Sequence, residues 1–562
     1  MPSKVTISDT YQPVVVGAAY LIKGLLHRLR VTEIIDKVLP YQPEIETTYG
    51  ALAQIVIANR MTFQPAPLYK LGPWAAKHGL DRVFGVPAEA LDDDRLGALM
   101  DQLGTHQVPI WLGILKEAQR RFKLDWEWLH EDTTSVYFEG DYTDAQGEPL
   151  PGGERIPRLL ALRGYNKDGQ RDKVQLVLSL ITSGRVPVYY RPWDGNQTDD
   201  GVYLADMTEL RRWMLAPDNA VIVGDRKLCN QATMLSFCRD GQRFLGAHPW
   251  TETAQAVWRD IQPPLQARSA AWVPVPYVSR QDARKPEAAR PTYRVYEVAH
   301  TLRDEATGQA YPVRWVFSWS SEKAARDAQQ RAKATLREAG EAALRRLAGL
   351  LGKYRYKQRA VIEAQIAPVL EKAHAAPYLT YTLRGTDQDQ AWHLTWDVEQ
   401  SQVAADAQRD GVALLCTNVP ATQLTAPAAM INYKEHVQTE QVIDFIKSPV
   451  QIRPMWLHQP KRIAGLTLLI MLAVLVASLL EQQVRRWIAK TGKPLTGLRP
   501  EKRDDAYPTA KALLEVFATY AVVIVRGQRG REKLWHLSTL DPLQKKIWDI
   551  LGLPALQTLA EG

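Results

Sequence analysis

The sequence predicts an α/β protein. It has a mixed sheet covered by helices, interrupted by a large α+β insertion and preceded by a helical N-terminal domain. Three observations carry this expectation. Apolar residues recur at helical spacing through about residue 125. From about 126, β-rich runs take over, first in succession and then alternating with helical stretches, which is the pattern of a mixed sheet. Between 250 and 408, six prolines in the first part (263, 264, 274, 276, 286 and 291), paired strand-like runs and a long basic helical stretch make a block of different character.

Composition bounds the rest. The chain has 562 residues, 46% hydrophobic and 23% charged, which excludes a disordered chain, a collagen and a small disulfide scaffold. At roughly 100–200 residues per domain, three to five domains are expected. The net charge of +8 permits a polyanionic partner without naming one. Cys229, Cys238 and Cys416 are odd in number and not in zinc spacing, which argues against a disulfide framework and fits a cytoplasmic protein. The opening MPSKVTISDTYQP has no apolar stretch of signal-peptide type. Residues 463–480 carry no charge and are flanked by Lys461, Arg462, Arg485 and Arg486. That length is marginal for a membrane span. A mean hydropathy of −0.28 and the lack of a second such run favour a fully buried helix, so no membrane partner is expected.

In the first domain, Leu21, Leu25 and Leu26 mark a helix over 17–30, and Thr47-Thr48-Tyr49 stands where a cap belongs for 51–60. Pro65 and Pro67 break the pattern before a helix at 68–77. Asp92, Asp93 and Asp94 open a helix near 95–103, and 106–121 forms another with a basic end. Such helices suit either a DNA-binding module or a plain bundle. In the sheet region, residues 135–138 alternate as a strand. The runs 174–181 and 186–190 flank a turn at Ser183-Gly184-Arg185. A helix at 202–214, a buried strand at 220–223, a helix at 228–238 and a strand at 243–247 follow.

In the insertion, 293–300 and 311–318 read as strands. Residues 322–372 read as a helical stretch, broken near Gly352, with twelve Lys/Arg against six Asp/Glu. Such a face is usually solvated. Lys353, Arg355, Lys357 and Arg359, interleaved with Tyr354 and Tyr356, are dense enough to track a phosphate backbone. Residues 378–383 and 391–397 are β-rich, 411–419 is a strand, and 426–447 is helical. The tail, 486–562, combines basic loops with helices at 508–520 and 542–551.

Asp132 is expected just before a strand and Asp225 just after one, where an open sheet presents its ligands. Either alone is also an ordinary cap. Glu440 lies in INYKEHVQTEQVIDFIK. On one continuous helix Tyr433, Glu440 and Lys447, seven residues apart, share a face, with His436 and Asp444 four residues either side of Glu440. A polar stripe on a helix that otherwise offers Val437, Val442, Ile443, Phe445 and Ile446 to a core suits a site for metal and phosphate.

These motifs, in this order, resemble the DDE transposases of bacterial insertion sequences, whose core is RNase H-like. More narrowly they resemble the group with a Tyr-x2-Arg-x3-Glu-x6-Lys signature, read here as Tyr433, His436, Glu440 and Lys447. Residues 164–200 (GYNKDGQRDKVQLVLSLITSGRVPVYYRPWDGNQTDD) are similar to the family's stretch between its first two acids. Residues 66–97 are similar to the N-terminal domain of a long-chain branch. The resemblance covers most of 10–485. It implies that Asp132, Asp225 and Glu440 are a catalytic triad holding two Mg²⁺ or Mn²⁺ ions, for which three hard oxygen ligands are suited. It implies cleavage of double-stranded DNA at element ends, strand transfer into target DNA, a homodimer, and a bacterial, cytoplasmic, nucleoid-associated protein.

Tyr433 and Lys447 would meet DNA, and so would His436, which stands where the family has Arg. Neutral His cannot grip phosphate bidentately as Arg does. Lys434 is placed to supply the charge, and Arg226 is a further DNA contact or a surface ion pair. Asp444 rivals Glu440, and the signature spacing selects Glu440. Related insertions hold an aromatic that stacks on a flipped base. Trp392 and Trp396 are the candidates, with packing as the ordinary alternative. The expected organisation is a helical DNA-binding domain at 1–125 and catalytic core at 126–249 and 409–485. The insertion occupies 250–408 and a helical basic region 486–562. A decayed or repurposed DNA-binding protein on the same fold is the competing expectation.

Overall fold

The computed structural model describes residues 10–39, 47–62, 65–139, 161–164, 166, 169–170, 172–198, 201–213, 217–267, 271–332, 335–372, 375–376, 378–448, 452, 455–498, 504–526 and 532–561. The chain divides into two compact units, Met1–Phe244 with Tyr433–Gly562, and Leu245–Asn432.

The first unit begins with β1 (Thr10–Val15). Helices α1 (Ala19–Arg28), α2 (Val31–Val38), α3 (Tyr49–Arg60), α4 (Leu71–Lys77), α5 (Leu80–Phe84), α6 (Asp93–Thr105) and α7 (Gln107–Phe122) follow. Two of the expected caps are made. Thr48 accepts the Ala51 N–H at 3.2 Å and Asp92 accepts the Arg95 N–H at 2.9 Å, each satisfying a donor the helix leaves open.

The sheet elements are β2 (Trp128–Tyr137), β3 (Gln175–Ser183) and β4 (Val186–Trp193), then α8 (Val202–Arg212), β5 (Val221–Gly224), α9 (Gln231–Arg239) and β6 (Arg243–Ala247). The order is β4-β3-β2-β5. β2, β3 and β4 run antiparallel in turn, and β5 lies parallel to β2. This is the mixed sheet that the sequence led us to expect. One boundary differs from the sequence reading. β2 opens at Trp128, so Asp132 lies within the strand rather than before it. His130, Glu131, Thr133 and Thr134 are polar yet buried, which hides the alternation that reveals a half-buried strand.

β6 carries the chain into the second unit. There α10 (Glu252–Ala267), β7 (Val273–Val275), β8 (Tyr293–Arg303) and β9 (Ala310–Ser320) precede α11 (Ser321–Ala332), α12 (Thr335–Ala348) and α13 (Arg359–Lys372). The hairpin β10 (Leu379–Arg384) and β11 (His393–Val398), then α14 (Gln400–Ala407), β12 (Val412–Thr417) and α15 (Ala426–Lys434), complete it. β7, β8, β9 and β12 pair antiparallel in the order β12-β9-β8-β7. The basic stretch read as one helical run broken near Gly352 is three helices. α12, α13 and the β10–β11 hairpin enclose a small apolar core with Leu344, Ile362, Ile366 and Leu394.

Back in the first unit come α16 (Val437–Lys447), α17 (Pro460–Thr491), α18 (Ala510–Glu515), β13 (Ala521–Arg526), β14 (Glu532–Leu537), α19 (Pro542–Ile550) and α20 (Leu556–Glu561). The uncharged run lies in α17, whose most apolar 18 residues are all buried. It packs against α3, α6, α7 and β4, so it is a core helix. A side chain at Gly465 would place its Cβ 2.1 Å from the Met100 carbonyl oxygen of α6, so the crossing requires glycine. Arg462 pairs with Asp101 of α6 at 3.3 Å.

The strands β1, β13 and β14 were not expected. They form a sheet of their own in which β1 pairs antiparallel with β13, joining the first described residues to the tail. Pro13 and Gln12 break any strand-like alternation in β1. Proline is tolerated there because β1 is an edge strand.

Gly465→Leu should push α17 off α6 and cost about 3 kcal/mol, the upper range for overpacking. Gly201→Ala, whose added Cβ would meet only the Gln197 side chain at 3.7 Å, is the control. Thermal melts followed by circular dichroism should show a large drop for the first and little change for the second.

Candidate active site

The site is built on β2. Successive side chains of a strand point to opposite faces, so His130 and Asp132 share one face, and Glu131 and Thr133 the other. β5 runs parallel to β2 with Leu129 opposite Ile222 and His130 opposite Val223. Continued for two residues, that register brings Asp225 alongside Asp132. Asp132 is half-buried, and its Oδ1 accepts the Thr133 N–H at 2.7 Å. Asp225 is oriented from behind. The Tyr203 hydroxyl donates to Asp225 Oδ1 at 2.9 Å, and the Lys227 N–H donates to the same oxygen at 2.9 Å. Gly224 makes room for this, since a Cβ there would be 2.6 Å from the Tyr203 ring. Burial, then the charge of Asp225, raises the Tyr203 hydroxyl well above its ordinary range, so it remains a donor.

Glu440 is exposed in the first turn of α16. The helix is pinned on the Asp132 face. Thr182, opposite His130 in the β2–β3 ladder, shares a buried hydrogen bond of 2.7 Å with Thr439. Arg185, in the β3–β4 turn, donates to Gln441. Arg185 is itself held by the buried Glu481 of α17 at 2.5 Å, and Glu481 also pairs with Arg485 at 2.5 Å.

The helix expected over 426–447 is two helices. α15 ends at Lys434 and α16 starts at Val437, with tight turns between. The His436 N–H donates to the Tyr433 oxygen, and the Thr439 N–H to the His436 oxygen. Tyr433, Glu440 and Lys447 therefore do not form one continuous stripe. Tyr433 closes α15, while Glu440 and Lys447 open and close α16. The break turns His436 inward. Its ring stacks on Tyr433 with centroids 6.3 Å apart and lies 5.7 Å from His130.

His436 is where the three acids meet electrostatically. Burial lowers its pKa, and Asp132, Glu440 and Asp225 oppose that shift. His130 is pushed down to about 3 by burial and by His436, so it is neutral. Tyr433 is pushed up to about 12 by burial first, then by Asp225, with Glu440 also contributing. Its phenol keeps its proton. Arg226 and Lys434 are exposed, and Lys447 is half-buried. Trp392 and Trp396 belong to the second unit. Trp392 is buried in the small apolar core, and its indole N–H donates to the Lys357 oxygen at 3.3 Å. Trp396 packs against that core. These are the surroundings of packing residues.

Sequence reasoning missed the layer beneath. Glu131 is fully buried on the opposite face of β2, beside Asp206 of α8. Burial, then Asp206, then Asp132 and Asp225 raise the Glu131 carboxyl well above its ordinary range. Asp206, bonded by the Tyr189 hydroxyl at 3.1 Å and 3.9 Å from Arg191, is pushed up to about 6, chiefly by burial. Burial and the nearness of a second carboxyl both disfavour the charged form, which is why both shifts run upward. The available signal was the adjacent acids Glu131 and Asp132, which a strand must send to opposite faces.

Among the described residues, no three His, Cys, Asp or Glu side chains close on one point tightly enough to hold an ion as they stand. The chemistry of the donor set nonetheless fits a hard divalent cation, because all three acids are carboxylates in reach of solvent.

Residues 15–110 match a family model described as a domain of unknown function, DUF4277. No curated protein matches the chain. Among solved structures, it aligns with a piggyBac transposase synaptic complex with hairpin DNA. That alignment has a TM-score of 0.34 and 8% identity, and covers 91% of this chain and 82% of that one. It also aligns with a Mos1 transposase paired-end complex at a TM-score of 0.15 and 12% identity, over 40% of this chain and 67% of that one. The Mos1 strand transfer complex aligns at 0.15 and 13%, over 41% and 66%. All three are transposase structures.

The raised carboxyls give a pH prediction. Asp206 binds its proton more tightly folded than unfolded, so its contribution is fully present below about pH 4 and lost as pH rises through about 6. Glu131 adds in the same direction. Glu131→Gln, which mimics the neutral carboxyl, should fold and melt with a flatter pH dependence than wild type between pH 5 and 8. A Gln variant that melts far below wild type at every pH would contradict a neutral Glu131.

Proposed function

We propose that this chain is a DDE transposase of bacterial insertion sequences, cleaving DNA at element ends and joining the freed 3′-OH to target DNA. The observation that supports the reading is that Asp132, Asp225 and Glu440, from three separate stretches of chain, all act electrostatically on His436, with Glu440 at its place in the signature. Asp132, Asp225 and Glu440 would hold two Mg²⁺ or Mn²⁺ ions, which when bound would activate an attacking oxygen and stabilise a leaving one.

The chain's own groups do the rest. Tyr203 orients Asp225 through its hydroxyl and keeps the carboxylate from rotating. Tyr433, protonated, offers a hydrogen bond to a phosphate oxygen. His436 is a neutral partner at the position where the family has a charged one, so Lys434, Lys447 and Arg226 would supply positive charge to the DNA backbone. Burial raises the Glu131 carboxyl, which disfavours a further negative charge behind the site as phosphate approaches. The protein would act as a homodimer pairing two element ends, in the bacterial cytoplasm at the nucleoid.

The test is cleavage of a plasmid bearing the element ends, with Mg²⁺ or Mn²⁺. Asp132→Ala, Asp225→Ala and Glu440→Ala should each reduce cleavage by at least about a thousandfold, the scale of lost transition-state charge stabilisation, while DNA binding persists. Asp444→Ala should cleave as wild type. An Asp132→Ala protein as active as wild type would overturn the assignment. A wild type that binds but never cleaves would indicate a repurposed DNA-binding protein. Tyr203→Phe should fold normally and raise the metal concentration for half-maximal cleavage by about 10–100-fold, as loss of a ligand-orienting bond does.

A further inference from the structure

The loop between α12 and α13, in the second unit, has no role in the site described above. It contains Lys353, Arg355 and Lys357, all exposed. Among the described residues, none of the three pairs with a carboxylate. Lys353 donates to the Gly349 oxygen at 3.1 Å, and Arg355 donates to the Tyr356 hydroxyl at 3.1 Å and to Gln365 at 3.3 Å. The acids of the neighbouring turn are engaged locally. Asp387 accepts the Arg359 N–H at 2.8 Å, and Asp389 accepts the Thr386 hydroxyl at 2.7 Å.

Between these cations stands Tyr354, 81% exposed and at φ 50°. Left-handed backbone is costly for an aromatic residue, and such residues persist only where the surroundings hold them. Here they do. The Gly352 N–H donates to the Tyr356 oxygen at 2.8 Å, the Tyr356 N–H to the Lys353 oxygen at 2.9 Å, and the Trp392 indole clamps Lys357. Gln390, across the tip, is also left-handed at φ 48°. An ordinary solvated turn would carry Gly or Asn at such a position. This one holds a large ring in water, between unpaired cations at alternate residues.

We propose that residues 352–357 are a DNA-gripping tip. Lys353, Arg355 and Lys357 engage successive phosphates of a duplex, and Tyr354 packs its ring against the sugar–phosphate edge. The assignment rests on the reading of the chain as a DNA-acting protein and adds a contact surface outside the triad. It also gives the exposed, left-handed tyrosine a function that folding does not require of it.

The test is binding of a random-sequence duplex by the full-length protein, followed by fluorescence anisotropy from roughly 50 to 200 mM salt. Each lost phosphate contact flattens the slope of log affinity against log salt by about 0.9. K353Q/R355Q/K357Q should therefore flatten it by about 2 to 3 and weaken binding at least tenfold at low salt. K357E alone, at a side chain with no described partner, should weaken binding in the same sense. Tyr354→Gly should weaken binding several-fold at an unchanged slope, with a melting temperature equal to wild type or higher because the left-handed strain is gone. If wild type binds and the charge variants match its slope and affinity, the tip assignment is overturned. The same holds if Tyr354→Gly melts lower and binds normally. If wild type binds no duplex, the proposed function itself fails.

Discussion

The first unit is organised by the need to bury α17. Its uncharged stretch offers Leu, Ile, Val and Met on every side, and each such side chain is worth roughly 1.5–3 kcal/mol when removed from water. No single layer of structure can cover a helix that is apolar all round. The chain meets this by placing α3, α6 and α7 against it together with β4 of the sheet. The N-terminal helices and the sheet thus share one core helix. The approach to α6 is close enough to demand glycine at 465.

The polar end of the same helix sets the position of the site. Glu481 is buried and would be costly without partners. Its ion pairs with Arg185 and Arg485 and the Ala510 N–H bond at 3.0 Å offset that cost, and Arg185 passes the constraint to Gln441, beside Glu440. With the Thr182–Thr439 bond, this fixes the start of α16 on the Asp132 face of the sheet. An exposed carboxylate on a short helix is thereby held in place through the buried Thr182, Thr439 and Glu481.

Charge is managed in two layers. Asp132, Asp225 and Glu440 lie on the open side, where water or a cation offsets their repulsion. Glu131 and Asp206 lie behind β2, where burial disfavours the charged form and raises both carboxyls. His130 and His436 separate the acids without adding charge of their own. The strand period of two makes this division possible, because it sends consecutive acids to opposite faces.

Much of this was legible in the sequence, and the exceptions have physical causes. The caps at Thr48 and Asp92, the Ser183-Gly184-Arg185 turn, the β5–Asp225 junction and the buried helix at 463–480 follow from local chemistry. They depend on neighbours a few residues away. The start of β2 was hidden because buried polar residues break the apolar alternation. The break at Glu435-His436 was hidden because neither glycine nor proline marks it. The β1–β13 pairing was hidden because its partners lie some five hundred residues apart. What the sequence determined by itself was which residues could do chemistry and which segments had to be covered. Only the tertiary structure decided that Glu131 is fully buried with its carboxyl raised while Asp132 beside it is open to solvent, and that His436 is buried within reach of three acids. Burial and proximity set those properties, and neither exists until the chain has folded.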